Sequence, residues 1–373
     1  MWTSTRPAAT ALDSVDELAG LRTRYGLPPG LVRLDGNSGG FGRSETSARL
    51  HRFAENRWRS GCIGRLDADR KQEVRLTKDR LGGLVGAAPH ELAVAETTSV
   101  NLFKALIAAA RLRPDRPLLG VGRDCFAADL CIARSAAAHT GRELRLLHSL
   151  DDLPYDELAV VALAHTDVRT GGVRDAAAIT ARLHEHDVLA LWDLSESAGA
   201  LDVNLRAWKA DFAIGCGHRY LGGGPGAPAY SFVAERHHAA LDCEQAREDS
   251  ASAPSALALC ELRAGLSTLD GVSGASLAAK TNGLVSLFVE RLRGAPGVEI
   301  VSPSADRPRG AQVSLRHPRA ERVSQELFAR GVVVDLVEPD TLRCSFAPSW
   351  LRYVDVWEAA QIVHEVLHDL DHR

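Results

Sequence analysis

Residues 211–227 read DFAIGCGHRYLGGGPGA. An apolar strand, Phe212-Ala213-Ile214, runs into a turn of small residues. His218, Arg219, Tyr220 and Leu221 follow, and then Gly222-Gly223-Gly224-Pro225-Gly226. Glycine admits positive φ and lets other groups approach the backbone closely. A strand that ends in a polar cluster and a glycine loop has the form of an active-site rim.

The same form recurs upstream. Residues 188–192 make an apolar strand that opens into Asp193-Leu194-Ser195-Glu196-Ser197-Ala198-Gly199-Ala200. Residues 158–164 are apolar throughout, as a strand buried on both faces should be, and end in His165-Thr166-Asp167. Shorter strands are predicted over 118–121 and 144–147. Helical patterns cover 46–58, 70–85, 100–112 and 176–186, and Cys125 to Leu130 opens another helix. Strands and helices alternating across 90–230 predict a mostly parallel sheet with helices on both faces. Ligands then sit at the carboxyl ends of the strands. Thr97 and Thr98 stand at the start of the 100–112 helix, where hydroxyls cap it and the free N–H groups can hold a phosphate. Both readings stay open for them. Phe126 reads either as core or as a stacking platform.

At the N-terminus a short helix over 15–25 is closed by Pro28-Pro29-Gly30, and Leu34-Asp35-Gly36-Asn37-Ser38-Gly39-Gly40 forms a polar turn. Beyond the glycine loop, 237–252 is polar. Residues 256–292 are helical with breaks near Gly271 and Gly274, and 312–370 alternates short strands and helices. The expected division is an arm over 1–45, a large α/β domain over 46–270 and a small α+β domain over 271–373. A chain of 373 residues with a net charge of −4 suits one large domain and a smaller one, and gives no reason to expect nucleic acid or a membrane as partner. Seven cysteines without regular spacing suggest reduced thiols and no zinc or other metal site. No run reaches ~18 apolar residues, so a cytoplasmic protein is expected.

These motifs, taken in order, resemble kynureninase, a pyridoxal-phosphate (PLP) enzyme of the class V aminotransferase superfamily. The resemblance spans residues 30–370. It implies the fold-type-I architecture, an active site at a homodimer interface and a small-molecule substrate. It places Asn37, Ser38, Thr97, Thr98, Phe126, Asp129, His165, Tyr220 and Arg343 around the pocket. Phe126 corresponds to the ring that stacks on the cofactor, and Asp193 to the carboxylate that keeps the cofactor's ring nitrogen protonated. Arg343 corresponds to the arginine that takes the substrate carboxylate, a natural bidentate clamp.

The departures fall in the same pocket. The family's Schiff-base lysine is Arg219, its preceding tyrosine is His218, and its Asp-Leu-x-His carries Glu196 in place of histidine. A phosphate-binding hydroxyl is Ala253. Arginine stays charged in proteins and cannot form a Schiff base. Lys209 lies ten residues earlier, at the wrong end of the strand. Glu196 beside Asp193 calls for a cation, which Arg219 supplies. The sequence therefore predicts a rebuilt pocket that needs no cofactor, with Asp193, Glu196, His218 and Arg219 as acid, base and charge-stabilising groups for a lyase, hydrolase or cyclisation step on a small, amino-acid-derived acid. Two alternatives are PLP or its amine form, PMP, held noncovalently, and a non-catalytic binding partner.

Overall fold

The computed structural model describes residues 5–38, 44–53, 55, 63–151, 153–241 and 254–372. Gly39-Gly40, the tail of the helix expected over 46–58, and the polar stretch from 242 on, with Ala253, lie outside them.

Thirteen strands are described: β1 (Val32–Arg33), β2 (Leu92–Val94), β3 (Leu118–Gly122), β4 (Glu143–Leu147), β5 (Leu158–Ala164), β6 (Leu189–Asp193), β7 (Phe212–Gly215), β8 (Tyr230–Val233), β9 (Glu299–Ile300), β10 (Gln312–Arg316), β11 (Val332–Val333), β12 (Asp335–Val337) and β13 (Thr341–Ser345). Seven of them form one sheet in the order β2-β8-β7-β6-β5-β3-β4. The five from β7 to β4 are parallel, and β8 and β2 close one edge antiparallel. Side chains alternate across each strand. Val161, Leu163, Ala190 and Trp192 pack on one face with Leu259 and Leu262. Val160, Ala162, Leu189 and Leu191 pack on the other, against helices Thr98–Leu112 and Ala127–Thr140. The sheet is thus buried on both sides, which is why its strands read as unbroken apolar runs.

The second sheet runs β12-β13-β10-β9, all antiparallel. Val313, Leu315, Leu342 and Phe346 share a core with helices Gly274–Arg291, Ala320–Ala329 and Tyr353–Asp371. The long helical pattern breaks where expected: helix Ala256–Leu266 gives way to a tight turn, and Ser273 caps the next helix by accepting from the N–H of Ser276.

The N-terminal helix differs from expectation. Two pieces replace it, an α-helix over Arg6–Ser14 and a 3-10 helix over Ala19–Arg24. The cause is Asp16, whose carboxylate accepts from the N–H of Leu18 at 2.9 Å and restarts the chain. This arm is held to the C-terminal half by charge. Asp13 accepts from the N–H groups of Tyr353 and Val354 at 2.6 and 3.0 Å, capping that helix. Arg22 meets Asp355 at 2.6 Å. Lys280 meets Asp16 at 2.7 Å with both side chains only 5% exposed, an ion pair rather than a well-aligned hydrogen bond. Among the described residues no helix is long and apolar enough to cross a membrane.

Candidate active site

The site is assembled where β6 and β7 end. Asp193 closes β6 with the parity of Leu191, so its side chain lies on the face of helices Thr98–Leu112 and Ala127–Thr140. Its Oδ1 accepts from the N–H of Ser195 at 2.9 Å, and it enters no ion pair among the described residues. The loop after β6 then folds against the loop after β7. Gly199 (φ +87°) makes this contact, where a Cβ would stand 2.9 Å from the Tyr220 carbonyl. That approach brings Glu196 onto Arg219.

Arg219 Nη1 donates to Glu196 Oε1, and the guanidinium lies over the Phe126 ring, 5.1 Å from its centroid. The ring expected to stack on a cofactor therefore carries an arginine. Burial raises the Glu196 carboxyl, against the opposing pull of Arg219 and Arg343. Glu196 Oε2 and Arg219 Nε are both buried without a hydrogen-bond partner. Burial also lowers His218, and the Arg219 charge adds to the effect, so His218 is a neutral base at pH 7.

Asp129 completes the acidic group. Burial and the nearby Asp193 charge push it up to about 6, with Arg219 opposing. A carboxyl raised by folding weakens the fold when ionised. The penalty is complete above about pH 6 and fades as pH falls toward 3.8. Asp129→Asn should therefore raise the melting temperature of the cofactor-free protein at pH 8, by about 1–2 kcal/mol of stability after allowing for screening. The gain should vanish by about pH 4. Thermal melts across that range check it.

The Asn37 turn reaches the pocket because it lies alongside β13: Gly36 N–H donates to Ser345 O, and Ser345 N–H to Leu34 O. The Asn37 amide oxygen accepts from Arg343 Nη2 and Nε at 3.0 and 2.9 Å, while its NH2 donates to Asp335 and Ser345. Arg343 also pairs with Asp335 at 3.0 Å. Two of the three guanidinium nitrogens are therefore engaged within the chain. Ser38 is half-buried, and its N–H donates to Asp35 O. Thr97 caps its helix by accepting from the N–H of Val100. The N–H groups of Thr98 and Ser99 are left without acceptors among the described residues, as helix starts require.

One expected residue faces elsewhere. His165 continues β5 with the parity of Leu163, so it turns away from Asp193. It packs on Trp192 and Trp208 and bonds Ser197 at 2.8 Å. Burial and Arg174 lower it to about 4, the signature of a neutral core histidine. The strand alternation already contained this placement. Tyr220 is buried between the smaller sheet and the pocket: its hydroxyl donates to Ala311 O at 3.5 Å, and it lies within electrostatic reach of Glu196, Arg219 and Arg343.

Sequence reasoning did not find Asp335, the partner of the clamp arginine. Nor did it find the role of Asp211, which is 1% exposed at the start of β7. Asp211 accepts from His184 (2.8 Å), His237 (2.7 Å), Arg236 (2.7 Å) and the N–H of Ala190 (2.8 Å). Burial raises its carboxyl, but these donors outweigh burial and hold it well below the ordinary range.

Family patterns match this chain in two places: Kynureninase C-terminal domain over residues 277–363 and Aminotransferase class-V over 133–227. Kynureninase from Burkholderia mallei is 36% identical, covering 97% of this chain and 95% of that protein. Kynureninase from Deinococcus radiodurans is 37% identical, covering 97% and 96%. Among solved structures, apo cysteine desulfurase from Thermococcus onnurineus NA1 superposes with a TM-score of 0.78 at 17% identity, covering 94% of this chain and 98% of that one. A lysine-to-alanine mutant of C-DES, described with glycine covalently linked to the PLP cofactor, gives 0.78 at 15% identity, covering 92% and 98%. These likenesses establish the α/β fold-type-I architecture. The expectation of no cofactor is overturned: a chain this similar to kynureninases along its whole length falls among cofactor-dependent enzymes.

Proposed function

We propose, for a chain that belongs to the kynureninase family, that it is an enzyme holding PLP or PMP without a covalent bond. It acts as a homodimer on a small amino-acid-derived acid, of the aromatic class that kynurenine represents. The observation that carries this reading is Arg219 at the lysine position, ion-paired to Glu196, beside an Asp193 that has no cation of its own among the described residues.

The phosphate and ring-nitrogen positions fit such a group, while the face of Phe126 is taken by Arg219. The N–H groups of Thr98 and Ser99 are suited to its phosphate. Asp193 is suited to a protonated ring nitrogen, and the surplus of carboxylates (Asp129, Asp193 and Glu196 against Arg219) favours a ligand with a positive centre. When bound, the cofactor supplies an electron sink for bonds at the substrate's α-carbon. Arg343 keeps one guanidinium nitrogen for the substrate carboxylate. Arg219 cannot give up a proton, so proton movement falls to His218, neutral at pH 7, and to Glu196.

The test is a visible and fluorescence titration of the cofactor-free protein with PLP and with PMP, followed by borohydride reduction and mass analysis. We expect saturable binding, no covalent label, and kynurenine hydrolysis slower than ~1 per second, the lower end of ordinary turnover. A covalent label on any of the five lysines, Lys71, Lys78, Lys104, Lys209 or Lys280, would overturn the noncovalent reading, as would a failure to bind either form.

A further inference from the structure

We infer that Asp335 limits how tightly this pocket takes a carboxylate: it draws on the charge of Arg343 and, with Asn37, leaves that arginine a single nitrogen to offer. The inference rests on Arg343 as the substrate clamp, as proposed above, and adds what restrains it.

The arrangement follows from the register of the small sheet. Asp335 on β12 and Arg343 on β13 are direct cross-strand partners, so their side chains share a face. Leu342 and Cys344, on either side of Arg343, enter the core, which turns Arg343 to the opposite face. There its Nη2 donates to Asp335 Oδ2 at 3.0 Å. Asn37, 4% exposed, fixes the same edge of the guanidinium. Its amide oxygen accepts from Nε and Nη2 at 2.9 and 3.0 Å, and its NH2 donates to that same Asp335 oxygen at 3.0 Å. Nη1 alone is left without a partner among the described residues, and the side chain keeps 15% of its surface open.

A guanidinium grips a carboxylate best through two parallel bonds, from Nη1 and Nη2 or from Nε and Nη2. Both pairs include Nη2, which is already engaged. A ligand carboxylate is therefore met end-on, by Nη1. It also meets an arginine whose charge is shared: Asp335 is in contact with it, and Glu196 lies within its electrostatic reach. A carboxylate arriving at Nη1 is repelled by Asp335 at short range, in a site only partly open to water. Asp335 thus competes for the clamp while holding it in position. Both donors to Asp335 end on one oxygen, Oδ2. An asparagine can keep an oxygen there, so Asp335→Asn removes the charge and preserves the two hydrogen bonds.

The experiment is calorimetric titration of the PLP-saturated protein with two probes. One is benzoylpropionate, the carbon skeleton of kynurenine without its amines. The other is its primary amide, which has the same shape and no charge. Asp335→Asn should bind the carboxylate about three- to tenfold more tightly than wild type, with the amide little changed. In an Arg343→Gln background the same substitution should give no gain, since the effect passes through Arg343. A residue that merely propped the sheet would move both probes alike. Unchanged or weaker carboxylate binding in Asp335→Asn, while Arg343→Gln still costs carboxylate affinity, overturns the inference and leaves the clamp standing. Carboxylate affinity that is the same in wild type and Arg343→Gln overturns the clamp, and the inference with it.

Discussion

Arg219→Lys, saturated with PLP and reduced with borohydride, is expected to carry a stoichiometric phosphopyridoxyl group at position 219, and the unaltered protein none. The change is all or nothing because it depends on one property. A lysine amine, which in water titrates at ~10.4, is brought toward neutrality by burial, whereas a guanidinium stays charged. The side chain at 219 is 16% exposed, so desolvation is available to lower an amine there. The same substitution takes the guanidinium off Phe126 and frees that ring. Glu196 works against it by stabilising the charged amine, so labelling should be more complete at pH 8.5 than at pH 7. Mass mapping of the reduced peptide decides the matter. A label at another lysine, or no label in a protein that binds PLP, would mean that the lysine position has been misassigned.

The second large effect is on stability. Lys280→Ala is expected to cost about 3–5 kcal/mol, and Asp16→Ala about the same, because each leaves an uncompensated charge in the interior. The pair joins the N-terminal arm to the helix Gly274–Arg291 at 2.7 Å. Burial lowers the lysine, and Asp16 opposes that shift. Replacing both residues together, with Lys280→Met and Asp16→Asn, should recover part of the loss, since it removes the buried charges and keeps an acceptor for the N–H of Leu18. Denaturant midpoints for the three proteins test this. A cost below about 1 kcal/mol for either single change would show that the arm swings free enough for water to reach the charge.

The large sheet was legible because its strands are buried on both faces. Leu158–Ala164 shows no polar interruption, and the strands that carry the motifs each run out into polar residues. The motif residues were legible for the same reason: they stand at strand ends, where the chain must turn. Contacts between residues far apart in the chain were legible only where charge demanded them. The pairing of Glu196 with Arg219 across 23 residues was legible from the cation that two neighbouring carboxylates require, but Asn37 meets Arg343 only because the N-terminal turn docks beside β13. His165 was misplaced for a local reason, since its pocket role followed the motif and not the alternation of β5. The helix expected over 15–25 failed because a single carboxylate, Asp16, restarted the chain.

Asp211 has a consequence for how this pocket can tolerate change. It pins the amino end of β7 to β6, to the helix Ala176–Glu185 and to the turn after β8. β7 rises toward the pocket, and His218 and Arg219 follow at its far end. The strand's position along its axis is therefore fixed by bonds that take no part in the chemistry. Side chains at the far end can be exchanged without the strand slipping in register. His218 and Arg219 stand at that end, and the backbone superposes on distant enzymes at a TM-score of 0.78. The scaffold and the chemistry are secured at opposite ends of one strand, which leaves the second free to change while the first holds.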